Sequence, residues 1–392
     1  MAASTEGTAA STVEDDRDPE ELFRSLSRYP DFDAVELEAY DATDRLLLDT
    51  AEAAIADLAD GELVVIGDRH GALTIGARAL LGATGIRVFQ DPLLGERALA
   101  ANAERLGVDD FSSRPLDRSL LDGARVVLLQ LPRSLDALDE IARAIADWAD
   151  PAVQVFAGGR VKHMTLTMNE VLGRSFTSVS AGLARRKSRV LSASGPRAGE
   201  TRFPVWGEDP DLDFRVAAFG ATFGGATLDH GTRLLLAADG TRDAIAGAQR
   251  VVDLGCGNGV LATAAARANP RAEVIATDQS AAAVAATRLT SEAAGVADRV
   301  RVHRADATEA VPDGWADLIL LNPPFHSGST VHAEVAHRLI RSSARALAPG
   351  GELRLVFNTH LAYRPLVERV IGPVEQVART RTFTVLAARK RR

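Results

Sequence analysis

The stretch VVDLGCGNGVLA, residues 251–262, decides how the chain is read. Val251–Leu254 is a short apolar run holding one acid, Asp253, and it predicts a buried strand. Gly255, Gly257 and Gly259 follow, a spacing that lets the backbone come close to a ligand, and an alanine-rich helix is predicted over about 260–268. A strand running through a glycine turn into a helix is the opening unit of a doubly wound α/β sheet, in which ligands sit at the carboxyl ends of the strands.

Working outward, EVIATD (273–278) predicts a strand ending on Asp278, VRVHRAD (300–306) one ending on Asp306, and ADLILLNPP (316–324) one that reaches Asn322. The same layout occurs earlier in the chain. ELVVIGDRHG (62–71) meets a turn, IRVFQD (86–91) ends on Asp91, FSSRPLD (111–117) ends on Asp117, and ARVVLLQLPR (124–133) carries Gln130 where the later copy has Asn322. The intervals agree: Gly67 to Asp91 is 24 residues against 23 from Gly255 to Asp278, and Asp91 to Asp117 is 26 against 28 from Asp278 to Asp306. Matched landmarks in one order predict two tandem doubly wound, Rossmann-like α/β domains, the first degenerate. The expected division is a disordered acidic tail over 1–30, a first domain over 31–200 and a second over 201–392. The join is expected near 195–215, where SASGPRAGE and GEDPD break both periodicities.

Composition sets limits on function. The 392 residues are 46% hydrophobic and 25% charged, as in a water-soluble globular protein, and no apolar run is long enough to suggest a membrane span. The first residues have neither a basic start nor an apolar core, so no secretory signal is expected. Cys256 is the only cysteine, which excludes an internal disulfide framework and a cysteine-rich zinc site. A cytoplasmic protein without a metal is the expectation; oligomeric state is open. The net charge of −8 is concentrated at the start, where residues 1–22 carry seven acids and one arginine. Two stretches are basic instead. Residues 158–190 hold Arg160, Lys162, Arg174, Arg185, Arg186, Lys187 and Arg189 against Glu170 alone, and 376–392 hold Arg379, Arg381, Arg389, Lys390, Arg391 and Arg392 with no acid. Such clusters suit a phosphate backbone, and equally an ordinary solvated face.

The loop points to a cofactor. Asp253, and Val260-Leu261-Ala262 where a dinucleotide loop would place its third glycine, favour S-adenosylmethionine over a nicotinamide dinucleotide. Asp253, Gly255, Cys256, Gly257, Asn258 and Gly259 are then expected to bind it, the loop lying against its amino-acid end. Asp278 lies 21 residues beyond Gly257, where a carboxylate accepts ribose hydroxyls; Asp278-Gln279-Ser280 also reads as a helix cap. Asp306, with Ala307 beside it, is placed to meet the adenine amino group.

Asn322-Pro323-Pro324-Phe325 points to the chemistry. Two consecutive prolines remove two N–H donors, so the loop presents acceptors. The Asn322 side-chain carbonyl and the Pro323 backbone carbonyl can accept both hydrogens of a planar amino group and stabilise the charge that grows on its nitrogen. Phe325 offers a face on which an unstacked base can lie. His326 is placed either to take up the released proton or to hydrogen-bond behind the site. Ala333–Leu347 reads as an amphipathic helix whose Val335, Leu339, Ile340 and Leu347 belong to the core.

On these residues the chain resembles the bacterial ribosomal RNA guanine-N2 methyltransferases, built of two tandem methyltransferase-like domains with a small-subunit and a large-subunit branch. VVDLGCGNGVLA (251–262), LNPPFH (321–326), GGELRLVFNTHLAYRPLVERVIG (350–372) and TRTFTVLAARK (380–390) look like the family's motifs. GGRVKHMTLTMNEVLGRSFTSVSAGLARRKSRVL (158–191) is more similar to the large-subunit branch, which acts on 23S RNA. The resemblance implies a catalytic second domain that uses S-adenosylmethionine and a first domain that has lost the cofactor and helps hold RNA. It also implies ribosomal RNA or a ribosomal subunit as partner. Gly67-Asp68-Arg69-His70-Gly71 and Gln130-Leu131-Pro132-Arg133 fit a degenerate copy. One departure stands out. The family's Gly-Leu-Asp step reads Ala226-Thr227-Leu228-Asp229-His230-Gly231, losing the first glycine and keeping Leu228, Asp229 and Gly231. The rival readings are a protein-glutamine N5- or adenine-N6-methyltransferase, and an RNA-binding assembly factor without turnover.

Overall fold

The computed structural model of the protein describes residues 18–32, 37–323 and 330–391. Its centre is two seven-stranded mixed sheets. The first contains β1 (Leu63–Ile66), β2 (Ile86–Phe89), β3 (Phe111–Ser113), β4 (Val126–Gln130), β5 (Gln154–Arg160), β6 (Phe176–Ala181) and β7 (Ser188–Pro196). A two-stranded ribbon, β8 (Val205–Gly207) with β9 (Val216–Ala218), stands between the sheets in sequence. The second sheet contains β10 (Arg250–Leu254), β11 (Glu273–Asp278), β12 (Val300–Arg304), β13 (Ala316–Leu321), β14 (Leu347–Asn358), β15 (Val374–Arg379) and β16 (Phe383–Arg389).

The strand orders are β3-β2-β1-β4-β5-β7-β6 and β12-β11-β10-β13-β14-β16-β15, so the two sheets share one topology. In each, five parallel strands are followed by an antiparallel pair. The parallel strands are buried on both faces, as crossover helices require. Val252 and Leu254 pack into one core while Val251 packs into the core on the opposite face, and Leu63 and Val65 are divided in the same way from Val64 and Ile66. The duplicated landmarks are thus duplicated structure. The order reverses beside β1 and again beside β10, so each sheet has a switch-point crevice at the carboxyl ends of its strands.

The tail departs from expectation. Residues 19–25, assigned above to a disordered acidic segment, form a helix, Pro19–Ser25, whose Asp18 side chain accepts the Glu20 N–H at 3.0 Å. Leu22 and Phe23 bury themselves in the first domain's core, and Glu20 pairs with Arg45. Two apolar side chains behind a proline and a cap outweigh the acidic composition.

The two domains meet through equivalent edges. The Leu93 N–H donates to the Gln279 carbonyl at 2.9 Å, the Ala281 N–H donates to the Asp91 carbonyl at 3.0 Å, and Pro92 and Ser280 form an antiparallel bridge. These are the turns that follow β2 and β11. Arg304 crosses the same seam, donating to the Gln90 carbonyl at 2.7 Å and pairing with Glu96 at 2.7 Å, and Arg97 pairs with Glu309 at 2.8 Å. Among the described residues no helix is long and apolar enough to cross a membrane.

Candidate active site

A cavity of about 820 Å³ opens at the carboxyl ends of β10, β11 and β13, lined by Gly255, Gly257, Asp278, Gln279, Asp306, Ala307 and Asn322. The first domain supplies part of its wall through Asp31, Phe32, Asp91, Pro92 and Leu94. The loop between β10 and the helix Val260–Ala268 turns through left-handed backbone at Gly255 (φ 77°), Gly257 (φ 54°) and Gly259 (φ 80°). A β-carbon at Gly255 or Gly257 would meet nothing within 4 Å. Side chains there would extend into space that is now open to a ligand.

Asp278 ends β11 with its side chain half-buried. One oxygen accepts the Gly257 N–H at 3.0 Å and the other the Ser280 N–H at 2.9 Å. Burial pushes its pKa up, and these N–H groups pull the other way. The cap of the helix Ala281–Ala293 is Ser280, whose Oγ accepts the Ala283 N–H at 3.1 Å. The capping residue of the segment Asp278-Gln279-Ser280 is thus Ser280, and the Asp278 oxygens keep lone pairs for further donors. Asp306 also faces the cavity, paired with Arg338 from the helix Thr330–Ala346. Ala307 adopts φ 48°, and its carbonyl accepts the Thr277 hydroxyl at 3.0 Å.

Four loop residues expected against the cofactor are turned away from the cavity. Asp253 is fully buried, and its Oδ2 accepts the Ala262 N–H at 2.8 Å, tying the strand end to the helix; burial lifts its pKa to about 7. The buried Cys256 thiol accepts the Thr287 hydroxyl at 3.2 Å, and burial pushes its pKa well above the usual thiol range. Asn258 donates to the carbonyls of Gly225 (2.9 Å) and Thr227 (2.8 Å). Gly259 gives room to Thr287, whose Cα would lie 2.7 Å from an added β-carbon. These four shape the loop from behind. A turn this tight must be braced on its protein side, so alternate residues cannot all point to the ligand.

Asn322 follows β13 at the edge of the cavity. Its Nδ2 donates to Asp229 Oδ2 and to Thr232 Oγ1, both at 2.9 Å. Asp229 caps the helix His230–Ala237, with the same Oδ2 accepting the N–H groups of Gly231 (2.8 Å) and Thr232 (3.1 Å). Gly231 permits this approach, since a β-carbon there would lie 3.2 Å from Asn322 Oδ1. Asp229 Oδ2 already accepts two backbone N–H groups, so it acts as an acceptor, the amide nitrogen faces it and Oδ1 faces away. That oxygen is buried and has no hydrogen-bond partner among the described residues. A buried acceptor left unpaired costs about 1–3 kcal/mol, so Oδ1 keeps its capacity for a further donor. Pro323 is buried beside it; Pro324, Phe325 and His326 lie outside the described residues. The sequence kept Leu228, Asp229 and Gly231 as the remainder of the family's step but gave no sign that Asp229 and Thr232 orient Asn322. Asp229-His230-Gly231-Thr232 reads locally as a helix start, and nothing local points to a partner 93 residues away.

The first domain repeats this loop with different residues at the site. Gly67 (φ 79°), Arg69 (φ 57°) and Gly71 (φ 101°) reproduce the three left-handed turns, with Arg69 where the second loop has Gly257. The Asp91 carboxylate, equivalent to Asp278, accepts the Ala282 N–H at 2.9 Å across the seam. Gln130, equivalent to Asn322, donates to Asp44. In the second domain, open space over Gly255 and Gly257, the acceptor Asp278 and the unpartnered Asn322 oxygen fit S-adenosylmethionine beside an amino group. In the first domain Arg69 stands in place of the second glycine and Gln130 is turned to Asp44.

Comparison with known proteins matches two family models along the chain. Residues 213–387 match the methyltransferase small domain and residues 17–197 the RLMG N-terminal domain. The chain is 35% identical over 377 residues to the ribosomal RNA large subunit methyltransferase G of Streptomyces coelicolor, covering 94% of this chain and 98% of that protein. It is 36% identical over 375 residues to the protein of the same name from Pseudomonas aeruginosa, covering 93% and 97%. Among solved structures, a 16S rRNA N2 methyltransferase from T. thermophilus, in complex with AdoMet and guanosine, superposes with a TM-score of 0.72. At 22% identity, covering 90% of this chain and 92% of that one, it attests the fold. By sequence likeness along nearly its whole length, and by both of its domains, the chain belongs to the ribosomal RNA large subunit methyltransferase G family.

Proposed function

We propose that this protein is an S-adenosylmethionine-dependent methyltransferase that modifies the exocyclic N2 amino group of a guanine in ribosomal RNA, on the 23S RNA of the large subunit. The observation that carries the reading is the Asn322 amide: its nitrogen is pinned by Asp229 and Thr232, and its buried oxygen is left without a partner at the cofactor cavity. The curated relatives are named for the large ribosomal subunit, which favours 23S over 16S RNA.

When bound, S-adenosylmethionine supplies a methyl group that a nitrogen lone pair accepts as the carbon–sulfur bond breaks, leaving S-adenosylhomocysteine and a proton. Gly255 and Gly257 make room for the cofactor, Asp278 accepts from its ribose, and Asp306 and Ala307 border the adenine end. Asn322 Oδ1 takes one hydrogen of the guanine amino group, and the Pro323 carbonyl is assigned the other. Two fixed acceptors hold the nitrogen lone pair toward the methyl and offset the positive charge that develops on nitrogen. The target must leave its stack to enter, as for other enzymes that do chemistry on a base.

Incubation of purified protein and S-adenosylmethionine with unmodified 23S and 16S RNA, and with each intact subunit, followed by nucleoside mass spectrometry, tests the reading. N2-methylguanosine in 23S RNA or the large subunit is the expected product. Methylated adenine, methylated protein glutamine or no methylated product at all refutes the assignment.

A further inference from the structure

A second cavity, of about 770 Å³, lies between the domains at the switch point of the first sheet. Gly67, Asp91 and Gln130 line it as Gly255, Asp278 and Asn322 line the cofactor site. It is therefore the crevice in which the first domain's own cofactor would sit. Gln130 is turned to Asp44, the Asp91 carboxylate holds the Ala282 N–H of the second domain, and Arg69 replaces the glycine. The crevice has nonetheless stayed open, with the helix Ala281–Ala293 of the second domain forming one side through Ala282, Ala285 and Arg288.

Its chemistry is that of a nucleotide site. Phe89, Leu116, Leu131, Ile141 and Phe219 provide apolar walls against which a base can stack. Arg69, Arg114 and Arg133 stand exposed on the lining and form no salt bridge among the described residues. The acids of the cavity are mostly engaged: Asp91 by Ala282, Glu96 by Arg304, and Asp117 by the Ser119 N–H. Glu140 is the exception in part. One of its oxygens accepts the Gly220 N–H at 2.7 Å, and its carboxyl borders the space where a base edge would lie. The volume is of the size that holds a small ligand.

The cavity also lies on a cationic path. Arg69 follows β1, Arg133 follows β4, and Arg160 and Lys162 stand at and just beyond the end of β5, so these cations share the carboxyl edge of neighbouring parallel strands in the first sheet. The Val161 N–H donates to the Lys187 carbonyl at 2.9 Å, which brings the exposed hairpin residues Arg185, Arg186 and Lys187 beside the same edge. The basic stretch noted in the sequence is thus continued, through Arg133 and Arg69, to the lip of the cavity.

We propose that the cavity between the domains is a second nucleotide subsite, which takes one unpaired nucleotide of the substrate RNA other than the target. Its base lies between the apolar walls and its phosphate at Arg69, Arg114 and Arg133. The proposal rests on the RNA reading for its biological ligand, but the site is testable without RNA turnover.

The probe is cytidine 5′-monophosphate, which has no guanine amino group, titrated by calorimetry into full-length protein saturated with S-adenosylhomocysteine. Saturable binding is expected, weakened about tenfold by Ala285→Trp, which fills the cavity, and by Arg114→Ala/Arg133→Ala, as loss of a base stack or of phosphate contacts would do. Asn322→Ala leaves it unchanged. The double arginine variant alters only exposed side chains, so unchanged melting and S-adenosylhomocysteine affinity keep it interpretable if the tryptophan variant misfolds. With ribosomal RNA, the double variant raises KM about tenfold at unchanged kcat. Absence of saturable binding, equal affinity in all variants, loss of binding in Asn322→Ala, or two S-adenosylhomocysteine molecules per chain would each overturn the subsite. If ribosomal RNA is methylated while the variants match wild type, the subsite fails alone. If it is not methylated while the monophosphate behaves as expected, the function assigned above fails and the subsite stands.

Discussion

Asn322 Nδ2 and Asp229 Oδ2 lie 2.9 Å apart, joining the end of β13 to the cap of a helix that precedes the cofactor loop in sequence. One carboxylate oxygen thereby serves the helix N-terminus and fixes which way the amide of Asn322 faces.

Asn322→Ala is expected to lower kcat by about 10²–10³, the scale of losing one aligned transition-state partner, with little change in cofactor affinity. Asn322→Asp should be equally poor although it keeps an acceptor, because it sets a second carboxylate against Asp229. Asp229→Ala should reduce kcat too, and should also lower stability by about 1 kcal/mol through the lost cap. Steady-state kinetics beside calorimetry of S-adenosylmethionine binding separates these effects; equal loss of turnover and affinity in Asn322→Ala would count against the role given to Asn322.

Gly257 and Gly259 are both left-handed, yet they should fail differently. Gly257→Ala extends a methyl into open cavity space and carries about 1–2 kcal/mol of backbone cost, so weaker cofactor binding is its main expected effect. Gly259→Ala also meets the Thr287 backbone, so a lower Tm should dominate. Melting curves with and without S-adenosylhomocysteine distinguish the two.

Asp253 gives a pH dependence to stability. Burial raises its folded-state pKa from 3.8 to about 7, so between those values the folded protein keeps a proton that the unfolded chain has released. The contribution is full below about 4 and is lost as pH rises toward about 7. Asp253→Asn has no such loss, so its Tm relative to wild type should improve from pH 5 to pH 8. A Tm difference that is flat with pH would show that Asp253 is not protonated in the folded protein.

Asp91 ties the first domain to the start of the helix that follows Asp278. Asp91→Ala is expected to weaken S-adenosylmethionine binding about fivefold, the worth of roughly 1 kcal/mol, with kcat nearly unchanged. Asp91→Asn keeps an acceptor for the Ala282 N–H and should restore most of the affinity. Failure of Asn to rescue would place the effect in the charge of Asp91 rather than in its hydrogen bond.

The sequence by itself determined the parts whose information is local. Apolar runs ending in Asp278 and Asn322, and the spacing of Gly255, Gly257 and Gly259, fix strands and a turn through backbone preference and burial alone. Repetition of that pattern also disclosed the duplication, and the structure carries it to identical strand order. What local pattern could not show is which way a side chain faces within a tight turn. Asp253, Cys256 and Asn258 stand in a motif that looks wholly directed at a ligand, yet they brace the loop from behind. Nor could it show the ordering of residues 19–25, since Leu22 and Phe23 gain their stability from a core formed by segments far along the chain.

Only the tertiary structure decided the partners that act across long separations. The orientation of Asn322 by Asp229, the hydrogen bond from the Ala282 N–H of the second domain to Asp91, and the open crevice beside Arg69 and Arg133 depend on elements that meet after both sheets have formed and docked. A hydrogen bond needs a donor and an acceptor within about 3 Å, and sequence spacing reports that distance only within a helical turn, a strand pair or a short loop. Beyond that range, packing of the two cores sets the geometry.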